Sequence, residues 1–336
     1  MTRAAGLLVT ALRDPASVAA LDSAAWTGLL TAARAERLLG SLAHRLDARA
    51  VPPVVAAQLA DARAGAEQER RGALWEAEMA RRALAPLGIP VVLLKGTAFV
   101  AAGLDAGQGR SIGDLDILVP RDALPDAERA LLAAGWEWVK EDAYDDAYYR
   151  RCIHELPPLI HVERDSLIDV HHTILPPTAR PTPDAAALIA DAVALGNGLS
   201  VLSQADMIVH AAAHLFADGD LAGGLRNLWD IDRLLREYAG EGFWPRLRAR
   251  AGLHQLKRPV ARAARLANQL YGTPIPADWR GHDGLDPLYR RRLLARDDWG
   301  RQRYPATRFG FYARSHWLRM PPLMLARHLW TKATRR

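Results

Sequence analysis

The stretch Gly113-Asp114-Leu115-Asp116-Ile117-Leu118-Val119 constrains the fold of this chain more than any other. It is short, rich in apolar residues and closed by Pro120, which predicts a strand. Alternate strand side chains point the same way, so Asp114 and Asp116 share one face at the strand's start. Two carboxylates that close repel each other, and burying them is costly without a counter-charge. A divalent cation is the natural one, and Mg²⁺ favours carboxylate oxygens, water and substrate phosphates. Taken alone, the pair also suits a solvated strand end.

Upstream, Leu87-Gly88-Ile89-Pro90 is a turn signal and Val91-Val92-Leu93-Leu94 a buried strand. Lys95-Gly96-Thr97 then leads into a helix. A glycine at such a turn lets backbone N–H groups approach a phosphate, and a helix N-terminus favours an anion. The spacing is not that of the longer P-loop. The chain has only four lysines (Lys95, Lys140, Lys257, Lys332) among 44 basic residues, so Lys95 stands out. It reads either as a point charge against a triphosphate or as a surface residue ending a strand. Downstream, Pro158 to Glu163 and Ser166 to His172 alternate about Arg164-Asp165, predicting an antiparallel hairpin. Asp169 sits in its second arm between Ile168 and Val170. Facing the Asp114–Asp116 side, it completes a three-carboxylate site able to hold two metals, and one of three acids can act as general base.

Residues 1–85 read as helical, with a break at Pro52-Pro53 and a second helix from about Val54 to Leu84. Residues 86–176 form a small mixed αβ core, with Asp122 to Ala134 as a helix closed by Gly135. Residues 177–300 return to helix, where Ser203 and Asp206 suit a capping box, and 301–336 form a basic, aromatic tail. The fold class is α+β, a mixed-sheet core flanked by helical regions. The tail carries nine Lys and Arg and no acid, interleaved with Tyr304, Phe309, Phe311, Tyr312, Trp317 and Trp330. Its +9 exceeds the chain's +6, so the first 300 residues sum to −3 and the basicity belongs to the tail. Such a tail contacts RNA, lies on an anionic membrane surface, or packs its aromatics on the protein's own body. The Ala- and Arg-rich composition suits a high-GC bacterial genome.

The single cysteine, Cys152, excludes an intrachain disulfide and a thiolate zinc site, and fits a reducing compartment. It has no evident base partner. No run approaches 18 uncharged apolar residues. The apolar start Gly6 to Leu12 is cut by Arg13-Asp14 without a cleavage site, so the expected location is cytoplasmic.

Leu93-Leu94-Lys95-Gly96, then Arg110-Ser111-Ile112-Gly113 running into the Asp114–Val119 strand, then Ile168-Asp169-Val170-His171, resemble the bacterial family of uncharacterised nucleotidyltransferases. That family lies within the polymerase-β-like superfamily. Leu225-Arg226-Asn227-Leu228-Trp229-Asp230-Ile231, with His214 upstream, is similar to its helical segment. The resemblance spans roughly residues 20 to 240. It implies transfer of a nucleoside monophosphate from an NTP to an acceptor, with Mg²⁺ or Mn²⁺ and release of pyrophosphate. Asp114, Asp116 and Asp169 would bind the metal, with Asp169 as general base. Lys95, Gly96 and Thr97 would hold the triphosphate. Thr97 replaces the usual Ser or Gly, and is either a phosphate ligand or an ordinary helix residue. Arg110 contacts phosphate or pairs with an acid. His171, His214 and Asp230 are cleft candidates. The acceptor is an RNA, protein, peptide or sugar. The alternatives are an NTP-binding, antitoxin-like module without turnover and a tRNA-type modifier using the tail.

His210 and His214 have a zinc-compatible i, i+4 spacing, but Ala211 breaks the protease pattern, so a packed helical pair is expected. Asp230 and Asp232 do not share a helix face. That places Asp230 in a docking or cleft position and Asp232 in solvent.

Overall fold

The computed structural model describes residues 3–140, 142–218, 220–321 and Leu325. Of the tail, Arg327, Trp330, Lys332, Arg335 and Arg336 lie outside the described residues.

Three helices open the chain: α1 (Arg3–Arg13), α2 (Ser23–Ala35) and α3 (Leu39–Arg45). Asp22 caps α2 by accepting from the Ala25 N–H at 2.7 Å. The apolar start is a core helix, with Leu8 and Leu12 fully buried. Pro at the first position then starts the long α4 (Pro53–Leu84), close to the 54–84 expected. It packs against α3, α5 (Lys95–Ala101), α6 (Leu124–Ala133) and β2 (Asp114–Leu118).

The sheet has seven strands, in the order β3-β4-β5-β2-β1-β7-β6. β1 (Val92–Leu93) pairs antiparallel to β2, and β2 pairs parallel to β5 (Leu167–His171). β4 (Leu159–His161) and β5 form the expected hairpin, with Asp165 in the left-handed region at its turn. Three strands escaped the reading. β3 (Trp136–Trp138) pairs with β4. β6 (Val193–Ala194) and β7 (Ser200–Val201) form a hairpin around Gly196-Asn197-Gly198, where helix with a loop was expected. Strands of two or three residues are too short to show a period. A helix, α7 (Ala143–Cys152), also fills a stretch left unassigned.

The C-terminal helices are α8 (Ala185–Ala190), α9 (Gln204–Ala213), α10 (Gly224–Tyr238), α11 (Phe243–Leu253), α12 (Lys257–Tyr271), α13 (Asp286–Leu293) and α14 (Pro305–Arg319). Ser203 caps α9 as expected, accepting from the Asp206 N–H at 3.4 Å, and its hydroxyl donates to the Asp206 carboxylate at 2.8 Å, a contact different from the backbone bond of a capping box. A π-helical turn, His214–Asp218, follows α9. Glu36, 3% exposed, ties the two ends of the chain together: it accepts from the Leu225 N–H at 3.2 Å and from Arg296 Nε at 2.6 Å. Asp232 corrects an expectation. It is fully buried, not solvated, because α10 is covered on more than one side. Arg236 at 2.8 Å and the Thr273 hydroxyl at 2.6 Å satisfy it. Among the described residues, no helix is long and apolar enough to cross a membrane.

Candidate active site

Register builds the site. On the paired parallel strands, Asp116 stands opposite Asp169 and Leu118 opposite His171. Residues two apart share a face, so Asp116, Asp169 and His171 come together. Their ligand atoms, one from each, all lie within 4.8 Å of one another. Asp114 lies one step earlier on the same face, exposed at the strand's mouth and outside that cluster.

Asp116 is 2% exposed and carries two cationic partners on one oxygen. Lys95 Nζ is 2.5 Å from Oδ1, and His171 Nε2 is 3.0 Å from it. The Leu94 N–H donates to the Asp116 carbonyl at 2.9 Å, which sets Lys95 beside it. Burial works to raise the Asp116 pKa, but Lys95 and His171 overcome it and hold the carboxylate well below its usual range. The same pairing raises Lys95 against its own desolvation. At Asp169 the His171 and Lys95 charges offset only part of the cost. Burial, and then the Asp116 charge, push it up to about 6.

Lys95, not Gly96, takes the left-handed backbone conformation at the strand-to-helix corner, with φ 49°, a costly setting for a residue with a Cβ. Gly96 has another reason to lack a side chain. A Cβ there would overlap the Arg110 guanidinium. Arg110, 7% exposed, is pinned by its Nε to Asp230 Oδ2 at 3.0 Å. It therefore pairs with an acid of α10, not with the acids of the sheet. Thr97 is 1% exposed, and its hydroxyl has no partner among the described residues. We expect Gly96→Ala to cost about 2 kcal/mol, typical of overpacking, by pushing Arg110 off Asp230. Gly113→Ala, which meets nothing within 4 Å, should cost under about 0.5 kcal/mol. Urea midpoints of the two variants check this.

His154 and Glu155 escaped the sequence reading. Residues 154–156 run antiparallel along the end of β5, with Leu156 donating to Val170 and His172 donating to His154, both at 2.9 Å. This carries Glu155 Oε2 to 3.4 Å from His171 Nε2 and 3.9 Å from His154 Nε2. Burial pushes Glu155 up to about 7. No periodicity marks a residue held by one isolated bridge. Its only sequence signal is an acid beside a histidine just before Leu156-Pro157-Pro158.

His210, His214, Asp230 and Lys95 line a small cavity with Phe99, Arg110 and Asn227. Burial drives His210 well below its ordinary pKa and raises Asp230. Neither His210 nor His214 belongs to a metal-compatible cluster among the described residues. Burial raises the Cys152 thiol as well, which opposes a nucleophilic role.

The fold is a mixed sheet with acids in register on neighbouring parallel strands, flanked by helical regions. A family model described as uncharacterised nucleotidyltransferase matches residues 22–272, and the chain belongs to that family. No curated protein matches the chain.

Proposed function

We propose that the chain transfers a nucleoside monophosphate from an NTP to an acceptor hydroxyl or phosphate, using Asp114, Asp116 and Asp169 with Mg²⁺ or Mn²⁺. The observation that carries this reading is the Asp116–Asp169 register pair, in which Asp169 is pushed up to about 6. A carboxylate destabilised by burial, and then by a like charge beside it, is what a cation relieves. The donor set fits a hard cation: carboxylate oxygens, with one imidazole within reach. Bound there, the cation would polarise the triphosphate and neutralise the leaving pyrophosphate.

The chain's own groups do the rest. The acceptor oxygen forms a bond to the α-phosphorus as the bond to the β-phosphate oxygen breaks. A hydroxyl acceptor gives its proton to Asp169, which stands on β5 opposite Asp116. His171 orients Asp116. Lys95, at the N-terminus of α5, is released from Asp116 to meet the triphosphate with Gly96 and Thr97. Arg110 acts from behind, holding α10 to α5 through Asp230, and His214 lines the cleft. A cytoplasmic setting belongs to the same reading.

With labelled NTPs, Mg²⁺ and a lysate as acceptor source, the expected result is labelled acceptor plus pyrophosphate, lost on chelation. The reading fails if a folded Asp114→Asn/Asp116→Asn variant is as active as the parent. One observation favours a second reading: Asp116 already holds an ammonium counter-charge at 2.5 Å. That suits a module that binds NTP without turnover, seen as calorimetric Mg·ATP binding with no pyrophosphate from any acceptor.

A further inference from the structure

A second concentration of charge shares no residue with the candidate active site. A cavity of about 1040 Å³ opens between α12, α13, α14 and the loop at 179–181. Arg262 and Arg265 on its wall are neutralised: Arg262 Nη2 lies 2.5 Å from Asp283, and Arg265 Nε lies 2.6 Å from Asp286. Four further cations line it, namely Arg180, Lys257, Arg258 and Arg314, and none has a carboxylate partner among the described residues. Arg314 is the most constrained. Its Nη1 donates to the Phe216 carbonyl at 2.8 Å. Its guanidinium shares the Tyr289 ring with that of Arg262, at 5.3 and 4.2 Å from the centroid. Two guanidinium groups on one ring, one without an acid, form a site that an anion relieves.

We propose that this cavity docks a single-stranded polynucleotide, with backbone phosphates against Lys257, Arg258 and Arg314 and a base against Trp317. With Arg180 of the loop, the four cations come from three separate elements, more than one phosphate engages, and α14 continues the charge in a segment free of acids from residue 301 onward. A bilayer is flat and does not reach a guanidinium inside a cavity. An acidic peptide would match the charge but leave the aromatic unused. Trp317 is 47% exposed, and Arg180 of the cavity lining holds its guanidinium 5.2 Å over one face of the ring; an exposed ring beside cations is a stacking platform for a base. The π-helical turn joins the two sites. His214 lines the small cavity beside Lys95, and Phe216 lines the basic one. π-Turns of this kind recur at functional sites.

The test uses the full chain and a short, labelled, mixed-sequence single-stranded RNA, by fluorescence anisotropy in EDTA without NTP. Its failure therefore leaves the nucleotidyl-transfer reading untouched. Binding should weaken steeply with salt. Lys257→Ala/Arg258→Ala, both exposed, should retain the parental melting curve while losing at least about tenfold in affinity. The double variant should also lose about 1.4 from the slope of log K against log salt, at about 0.7 per phosphate contact on a single strand. An unchanged slope overturns the proposal. So does absence of RNA binding at low salt, with or without sedimentation on phosphatidylserine vesicles, and so does displacement of the RNA by polyglutamate at the same charge concentration as by polyphosphate.

Discussion

Asp116→Asn should lower the stability of the metal-free protein by about 3–5 kcal/mol, the range for removing one partner of a buried ion pair. The loss arises at Lys95 and His171 rather than at position 116 itself. Both donate to Asp116 Oδ1, at 2.5 and 3.0 Å. Lys95's side chain is 22% exposed and that of His171 is 1% exposed, so neither recovers full hydration. Activity should fall by about 10³-fold or more, since several kcal/mol of charge stabilisation at the reacting phosphate disappear. The two effects separate in the double variant Lys95→Met/Asp116→Asn. Without the ammonium only His171 has lost its carboxylate, and Glu155 Oε2 still faces it at 3.4 Å, so the urea midpoint should return most of the way to the parent's while activity stays absent. Lys95→Met alone should be stabilised by added Mg²⁺, because the cation then supplies the missing counter-charge. A double variant no more stable than Asp116→Asn would refute this account of the pair.

The backbone of the site was legible because its signals are local. The apolar stretch ended by Pro120 marked β2, the alternation about Arg164-Asp165 marked the β4–β5 hairpin, and Pro53 began α4 near the expected residue. Period two put Asp116 and Asp169 on one face, and the register brought them opposite each other. What escaped depends on packing between distant segments. Lys95 was read as a triphosphate ligand or a surface residue ending a strand, and nothing local marked its pairing with a side chain 21 residues away. Gly96 was read as a phosphate turn, and nothing local showed that the space it leaves also holds a guanidinium anchored 120 residues further on. Asp232 was placed in solvent from helix periodicity alone, which does not show that a helix is covered on several sides. Glu155 had no pattern to announce it.

Asp169→Asn should have the opposite sign from Asp116→Asn on stability, though the two carboxylates stand side by side. Asp169 has no ammonium of its own, and burial beside the Asp116 charge pushes it from an ordinary 3.8 to about 6. Between pH 4 and 6 the folded chain therefore holds a proton that the unfolded chain releases. Stability from this group is present below pH 4, falls as pH rises through the window, and is lost above pH 6. A shift of this size corresponds to a penalty on the order of 3 kcal/mol. Asparagine carries no charge but remains a half-buried polar group needing partners, so it should recover about 1–2 kcal/mol. The variant should thus be more stable than the parent at pH 7.5 in EDTA, lose that advantage as pH falls through the window, be the less stable of the two by about 1 kcal/mol near pH 4, and be catalytically inert at any pH. Added Mg²⁺ should stabilise the parent by mass action and leave the variant unmoved. Urea denaturation at the two pH values, with and without metal, gives all four comparisons. A variant less stable than the parent at pH 7.5 would mean that Asp169 is already neutralised within the fold. The strain that a catalytic cation is proposed to relieve would then not exist.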